Sequence, residues 1–265
     1  MSDPGSSLPP FEPSSFKYTQ PPDAEFTFGQ KAASTEGGRQ WAEQEKLGWE
    51  TIDARTTDPR RVISASVLSR SLNLYQRENE SGVGNIAPFS FFNQVSYNPT
   101  VISFASTGGA NKFKDTVNNI RATKEFTVSL ISEPWIAQAN AASIDAPPDV
   151  SEWDITGLTR EPSTSVKPPR IKESAFSLEC ELLQIVEIKN DAGEVRSSLV
   201  LGTVKLVHVR KAVLNEAGTA IDPAKYMAVS RLGDTTYALV GNGFRMPRPV
   251  WNKVEVDARK AAGTA

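Results

Sequence analysis

The sequence predicts a mainly β domain with short helices, and three features of residues 60–241 support this prediction. Seven runs rich in β-branched and aromatic residues are bounded by turn residues, as strands usually are. The residues from Asn190 to Gly193 separate the two longest runs and are typical of a hairpin turn. In the first of these runs the apolar phase shifts at Leu182, which predicts a β-bulge in a strand that curls around a barrel.

The predicted elements follow one another in a strand-rich order. The strands are expected at 61–68, 89–96, 100–106, 126–132, 175–188, 197–210 and 235–241. A helix is predicted over 111–124, where Phe113, Val117 and Ile120 share one face. A second, Ala-rich helix is predicted over 134–143 with Trp135 and Ile136 as its apolar anchors.

The first 50 residues differ in composition from the rest. A Ser-rich opening with six prolines predicts an extended or partly disordered N-terminal arm. Residues 37–49 carry Trp41, Leu47 and Trp49, enough for a short helix or strap that docks on the body. We therefore expect an arm over 1–50, one domain over 51–250 and a C-terminal tail over 251–265.

Charge and hydropathy exclude several classes of partner. Lys and Arg number 29 against 31 for Asp and Glu, so the chain lacks the basic surface that nucleic-acid binding requires. No stretch approaches the ~20 apolar residues of a membrane span. The opening residues also lack the basic and apolar regions of a secretory signal. We expect a cytoplasmic protein with no membrane or nucleic-acid partner.

The rare residues limit the chemistry. One cysteine and one histidine form neither an internal disulfide nor a structural zinc site, and we expect no metal. Cys180 lies in an alternating run, which favours a buried core thiol over a nucleophile. No G-x-S-x-G elbow is present for a Ser–His–Asp hydrolase, and the carboxylates around residues 145–154 are expected in a solvated loop. Chemistry is therefore expected to come from a cofactor.

Two glycine-containing segments invite a phosphate-binding interpretation. Residues 82–87 satisfy G-x-G-x-x-A, but Pro88 and a strand follow where a dinucleotide-binding helix should begin. A turn with positive φ at Gly82 and Gly84 is the favoured interpretation. In 106–116, hydroxyls and two glycines precede a helix with lysines at its start, where the helix dipole disfavours positive charge. A bound anion would resolve that mismatch; a solvated loop is the alternative.

Several motifs occur in a consistent order between about residue 60 and residue 249. Residues 85–96 read N-I-A-P-F-S-F-F-N-Q-V-S, residues 114–120 read K-D-T-V-N-N-I, and residues 202–208 read G-T-V-K-L-V-H. Residues 231–233 read R-L-G, and Tyr237 follows them. With this ordered set the chain resembles the flavin reductase-like domain family, the FMN-binding split barrels. The segment 72–84, the arm and the tail lie outside the resemblance.

The resemblance implies a six-stranded Greek-key split barrel, usually a homodimer, with FMN near the subunit interface and FAD as the alternative flavin. NADH or NADPH would be the cosubstrate, and reduced flavin would pass electrons to a second acceptor. His208 is the candidate catalytic residue, facing the flavin or nicotinamide; a structural histidine is the equal alternative. The implied cofactor-binding residues are Asn85, Ala87, Pro88, Phe89, Ser90, Phe91, Ser106, Thr107, Lys112, Lys114, Asp115, Thr116 and Arg231.

Two other functions stay open at this point. The chain is also compatible with a flavin-binding or dimeric interaction module without turnover. A pyridoxamine-phosphate-oxidase-type enzyme on a related barrel is a third interpretation, although the N-x-A-P-F and K-D-T motifs favour the reductase branch.

Overall fold

A computed structural model describes residues 10, 11, 13, 15–57, 73–78, 84–147 and 150–264, with 73–78 described as backbone. The strands are β1 Trp49–Asp53, β2 Asn73–Glu78, β3 Gly84–Phe89, β4 Phe92–Tyr97, β5 Thr100–Thr107, β6 Glu125–Leu130, β7 Arg160–Glu161, β8 Arg170–Ile171, β9 Phe176–Lys189, β10 Val195–Arg210, β11 Val229–Gly233 and β12 Thr236–Leu239. The α-helices are α1 Glu36–Glu43, α2 Asp115–Thr123, α3 Ile136–Ala141, α4 Glu152–Thr156, α5 Pro223–Tyr226 and α6 Trp251–Ala261.

One antiparallel sheet of eight strands forms the body. Its path runs β3-β2-β6-β9-β10-β5-β4, and β1 pairs with β10 beside this path. The two ends of the path, β3 and β4, are joined by only Ser90 and Phe91. Because so short a link brings the two edges together, the sheet must curl back on itself. The predicted mainly β architecture is confirmed, while the predicted strand 61–68 lies outside the described residues.

The β9–β10 hairpin has the turn and the bulge that the sequence predicts. Gly193 adopts φ +79°, the left-handed conformation that glycine tolerates best. Leu201 pairs with Gln184 and Gly202 pairs with Leu182, so Leu183 has no partner in the ladder. This irregularity is the bulge expected near Leu182, and it reverses which side chains of β9 face the core.

Three aromatic rings lie at the centre of the core. The centroid of Phe104 lies 5.0 Å from that of Phe89 and 5.8 Å from that of Phe126. Gly202 lies opposite Phe126, and a Cβ atom there would be 2.3 Å from the Phe126 Cζ. The sheet is therefore tightly packed where β10 crosses the aromatic cluster.

The segment 84–97 differs from its prediction in two ways. The strand expected over 89–96 is divided, because Ser90 and Phe91 turn the chain from β3 into β4. The prediction of positive φ at Gly84 is wrong, because Gly84 begins β3 in an extended conformation. Gly82 lies outside the described residues. Gly84 instead makes room for a neighbour, since a Cβ there would lie 2.6 Å from the Trp153 Cδ1.

The segment before β1 is held on the body by buried polar and aromatic side chains. Trp41 of α1 is buried and its Nε1 donates to the Glu173 carbonyl at 2.7 Å. The Arg210 guanidinium donates to the carbonyls of Trp41 and Lys172 at 3.1 and 2.6 Å. The docked short helix predicted within 37–49 is therefore present, and the Trp41 ring is part of the core.

The two predicted helices are shorter in the structure than the sequence pattern predicts. Helix α2 begins at Asp115, four residues after the predicted start, and buries Val117 and Ile120. Phe113 precedes the helix and lies under the Arg121 guanidinium at 4.0 Å. The predicted helix 134–143 consists of a 3-10 turn, Glu133–Trp135, followed by α3.

The chain divides into two compact units, residues 20–240 and residues 1–19 with 241–265. The larger unit contains the sheet and α1 to α5, and the smaller contains α6. Across the described part of the chain, none of the helices has the length and apolar character of a membrane span.

Candidate functional site

The loop after β5 is held tightly against the start of β10. The Gly108 N–H donates to the Arg196 carbonyl at 3.1 Å, and the Asn111 N–H donates to the Val195 carbonyl at 3.0 Å. The Asn111 side-chain oxygen accepts from the Val195 N–H at 3.0 Å. A Cβ at Gly108 would lie 2.1 Å from the Lys112 carbonyl oxygen, so this loop requires glycine there. These contacts fix the backbone of the segment that the sequence predicts to bind an anion.

An open crevice lies between this loop, the first turn of α2 and the start of β10. Ser106 and Ser198 line it, and both are more than nine-tenths buried. Neither Oγ atom has a hydrogen-bond partner among the described residues. We call it the anion crevice; its lining is Ser106, Gly108, Lys112, Phe113, Lys114, Val117, Val195, Arg196, Ser197 and Ser198.

The charge of the anion crevice is positive. Lys112, Lys114 and Arg196 all line it, and no ion pair joins them to a carboxylate in the described part of the chain. The N-terminus of α2 lies beside them, and no side chain caps it. Unpaired cations, an uncapped helix N-terminus and two buried hydroxyls form a donor set suited to a phosphate group.

The predicted residues Asn85 and Thr116 meet beside the crevice. The Thr116 hydroxyl donates to the Asn85 Oδ1 at 2.9 Å, which joins the first turn of α2 to β3. The Asn85 Nδ2 donates to the Glu152 Oε2 at 3.3 Å, and the Ile86 N–H donates to the same oxygen at 3.2 Å. Glu152 is buried, which raises the pKa of its carboxyl group. Its expected place in a solvated loop is wrong, because it opens α4 against β3.

The predicted ring-binding segment passes through the β3–β4 turn. Ala87, Pro88 and Ser90 are half-buried, whereas the Phe91 side chain is 65% exposed. The Phe91 carbonyl accepts from the Ala105 N–H at 2.9 Å, which fixes the turn to β5. Phe89 is buried and its ring belongs to the core.

Two predicted cofactor-binding residues are not brought to the anion crevice. Thr107 is exposed and is not among the lining residues. Arg231 lies on β11, in the separate two-stranded sheet with β12, and donates to the Asp234 carbonyl at 3.2 and 2.7 Å. The exposed Asp115, in contrast, opens α2 beside the crevice.

His208 has a structural environment, which favours the structural alternative over the candidate catalytic role. The side chain is buried among β1, β9 and β10. Its Nε2 lies 2.7 Å from the Glu179 Oε1 and its Nδ1 lies 3.1 Å from the Thr51 Oγ1. Both ring nitrogens therefore have hydrogen-bond partners inside the body.

Glu179 is the centre of this buried polar cluster. Burial alone would raise the pKa of its carboxyl group. Hydrogen bonds from His208, the Ser165 hydroxyl and the N–H groups of Thr164 and Ser165 outweigh that effect and lower the pKa to about 2. The carboxylate therefore stays ionised and joins the segment 164–170 to the barrel.

Three site residues were missed from sequence: Arg196, Ser198 and Glu152. Ser198 did give a signal, since it occupies a buried position of the alternation that continues through Val200 and Val204. Cys180 is fully buried as predicted, and burial raises its thiol pKa. Among the residues that the structure describes, no group of three or more His, Cys, Asp or Glu side chains could hold a metal ion.

Comparison with known proteins identifies the family. Residues 74–229 match the model of the flavin reductase like domain. The chain belongs to the flavin reductase-like domain family. An uncharacterized protein of Aquifex aeolicus is 34% identical to it over 178 residues, 67% of this chain and 87% of that protein.

Solved structures of the family agree with the fold. Nitrilotriacetate monooxygenase component B from Bacillus cereus is 27% identical, with a TM-score of 0.64 over 74% of this chain and 97% of that chain. A flavin reductase-family split barrel from Shewanella frigidimarina is 22% identical, with a TM-score of 0.59 over 74% of this chain and 96% of that chain. The predicted split barrel is confirmed, and the family is one of flavin-binding oxidoreductases.

The anion crevice fits the phosphate end of a flavin nucleotide. Two buried hydroxyls without partners are costly to leave unsatisfied, and a phosphate oxygen would satisfy them, whereas the three cations are exposed and would add favourable charge. Ser106 and Ser198 would donate hydroxyl hydrogens, and Lys112, Lys114 and Arg196 would balance the charge. The residues present therefore fit the cofactor class that the family binds.

Proposed function

We propose that this protein is an FMN-binding oxidoreductase that takes electrons from NADH or NADPH and delivers them to a second acceptor. The observation that carries the proposal is the anion crevice, where two buried hydroxyls and three cations converge beside a helix N-terminus. A neutral ligand would leave the cations unmatched. FMN ends in a single phosphate and matches this donor set.

The chemistry would come from the cofactor, and the chain would bind and orient it. When bound, a flavin accepts a hydride from the nicotinamide and later releases electrons to the acceptor. The backbone from Pro88 to Phe91 is fixed by the contact between the Phe91 carbonyl and the Ala105 N–H, and it would support the ring system. Backbone N–H groups held in place this way would stabilise negative charge on the reduced ring without reorganising.

No protein acid or base is assigned to this reaction. Hydride transfer between two cofactors requires none, and the one histidine of the chain is committed to Glu179 and Thr51. The name of component B from Bacillus cereus describes one part of a monooxygenase. That name supports a role in which this chain works with a separate protein component.

We also propose that the protein acts as a homodimer. Phe91, Val95 and Tyr97 expose more than half of their side chains along the β4 edge. Leu183 and Ile188 are exposed on the distal part of β9. Exposed apolar side chains on these two strands support association between two copies. Light scattering during gel filtration tests this: a monomeric mass would contradict it.

The first experiment is an absorbance spectrum of the purified protein with FMN, followed by anaerobic NADH and then NADPH. Retained absorbance near ~450 nm that bleaches with either nucleotide supports bound flavin and hydride transfer. Flavin that stays bound but does not bleach would favour a binding module without turnover. Absence of binding at high FMN would contradict the assignment of the anion crevice.

A further inference from the structure

The anion crevice and the predicted ring-binding strand are connected by one hydrogen-bonded chain that ends in Glu152. Its Oε2 accepts from the Ile86 N–H and from the Asn85 Nδ2 at 3.2 and 3.3 Å. Asn85 in turn accepts from the Thr116 hydroxyl at 2.9 Å. These contacts join α4, β3 and α2, three elements that are distant in sequence.

Which group donates in each of these hydrogen bonds follows from the carboxylate at one end of the series. A carboxylate can only accept, so the NH2 group of Asn85 faces Glu152 and its carbonyl oxygen faces Thr116. A carbonyl oxygen also only accepts, so the Thr116 hydroxyl gives its hydrogen to Asn85. The Thr116 hydroxyl hydrogen is therefore not available to a ligand in the anion crevice.

The first turn of α2 consequently presents other donors. The Asp115 and Thr116 backbone N–H groups have no hydrogen-bond partner in the described part of the chain. Lys114, which precedes them, lines the anion crevice. The contact between Thr116 and Asn85 sets where this turn lies relative to β3.

We propose that Glu152 is a positioning residue of the flavin site: through Asn85 and Thr116 it holds the phosphate-binding turn of α2 in register with the ring-binding strand β3. The inference rests on the proposed function, since it assumes that a flavin phosphate binds in the anion crevice. Glu152 is not among the residues that line the anion crevice, and its role is to orient Asn85 and, through Asn85, Thr116.

The neighbouring Ser151 offers a matched control. The Ser151 hydroxyl donates to the Gly84 carbonyl at 2.6 Å, so it also fastens the start of α4 to the start of β3. Among the described residues its hydroxyl makes no hydrogen bond to the side chain of Asn85 or Thr116. Ser151→Ala therefore weakens the same contact between α4 and β3 and leaves the hydrogen bonds among Glu152, Asn85 and Thr116 in place.

The test compares the dissociation constants of FMN and riboflavin, measured by quenching of flavin fluorescence at a temperature where circular dichroism shows all variants folded. Riboflavin carries the ring system without the phosphate, so the ratio of the two constants reports the phosphate end alone. Glu152→Met removes both acceptor contacts at similar side-chain length, and we expect the FMN preference to fall about tenfold, as for loss of one charge-assisted hydrogen bond. Glu152→Gln keeps an acceptor oxygen and should restore most of it.

The outcomes separate the inference from the proposed function. A wild-type protein with no preference for FMN over riboflavin would overturn the phosphate assignment before any variant is made. A wild-type preference that persists in Glu152→Met would overturn the role of Glu152 alone. Ser151→Ala should lower the melting temperature and leave the ratio unchanged. If Glu152→Met does not fold, Thr116→Val removes the hydrogen bond between Thr116 and Asn85 instead. An unchanged ratio of dissociation constants in Thr116→Val equally contradicts the proposal.

Discussion

Ser106 and Ser198 are register partners across the β5–β10 ladder, and the Oγ atoms of both are buried without a hydrogen-bond partner in the described part of the chain. Both residues line the anion crevice. An unsatisfied buried hydroxyl costs stability, so a pair of them on one wall indicates a ligand that accepts hydrogen bonds. This pair yields the sharpest prediction for the site.

Ser198→Ala is expected to move stability and affinity in opposite directions. The unliganded protein loses an unsatisfied polar atom and should keep or raise its melting temperature. FMN affinity should fall about tenfold or more, since a hydrogen bond to a charged group contributes about 1.5–3 kcal/mol. Thermal unfolding and fluorescence titration measure the two effects, and riboflavin affinity serves as the control. A stabilised variant with unchanged FMN affinity would contradict the site.

The cations of the anion crevice are expected to strengthen FMN binding by electrostatic attraction. Lys112→Gln and Arg196→Gln should each weaken FMN binding about two- to fivefold, in line with 0.2–1 kcal/mol for an exposed ion pair. The loss should be larger at low salt, because screening is then weaker. Lys211→Gln, a substitution of an exposed lysine that follows the opposite end of β10, is the matched control outside the crevice. Equal effects of all three variants would rule out a localised phosphate site.

Gly202→Ala is expected to destabilise the barrel. The new methyl group would lie 2.3 Å from the Phe126 Cζ, and overpacking of this kind costs roughly 1–3 kcal/mol. Phe126→Leu alone leaves a cavity, but combined with Gly202→Ala it should recover part of the loss. Urea unfolding of the two single variants and the double variant measures this coupling. Strict additivity of the two costs would show that the residues do not share this space.

His208→Leu is expected to lower stability and to leave flavin chemistry intact. Removing the imidazole leaves the buried Glu179 carboxylate with one hydrogen-bond partner fewer, and a hydrogen bond to a charged group contributes about 1.5–3 kcal/mol. The anaerobic rate at which NADH bleaches bound flavin should match wild type at a temperature where the variant is folded. A large loss of that rate with normal FMN affinity would restore the catalytic assignment.

Low pH is expected to lower the free energy of unfolding because Glu179 becomes protonated. Its pKa is lowered from 4.5 to about 2, so the carboxylate contributes stability above pH 4.5 and loses it as the pH falls through 2. The full shift corresponds to roughly 3 kcal/mol. The difference in free energy of unfolding between wild type and Glu179→Gln should be largest near neutral pH and narrow towards pH 2. Urea titrations across this range measure it, and a constant difference would contradict the assignment.

Local patterns predicted much of the architecture. The hairpin at Asn190 to Gly193 and the bulge beside Leu182 followed from turn chemistry and from a shift in the apolar phase. Both properties are set by residues close together in the chain. For the same reason the glycine loop and the lysines before α2 indicated an anion site, whereas the exact start of the helix at Asp115 did not follow from periodicity.

The sequence by itself determined the strand-rich class, the family resemblance and one wall of the anion crevice. Only the tertiary structure placed Ser198 opposite Ser106, buried Glu152 against β3 and gave His208 its partner Glu179. Sheet register and helix docking decide which distant residues meet, and these depend on the packing of the whole core. Periodicity along the chain encodes which side of a strand is buried, but it does not encode which strand lies beside it.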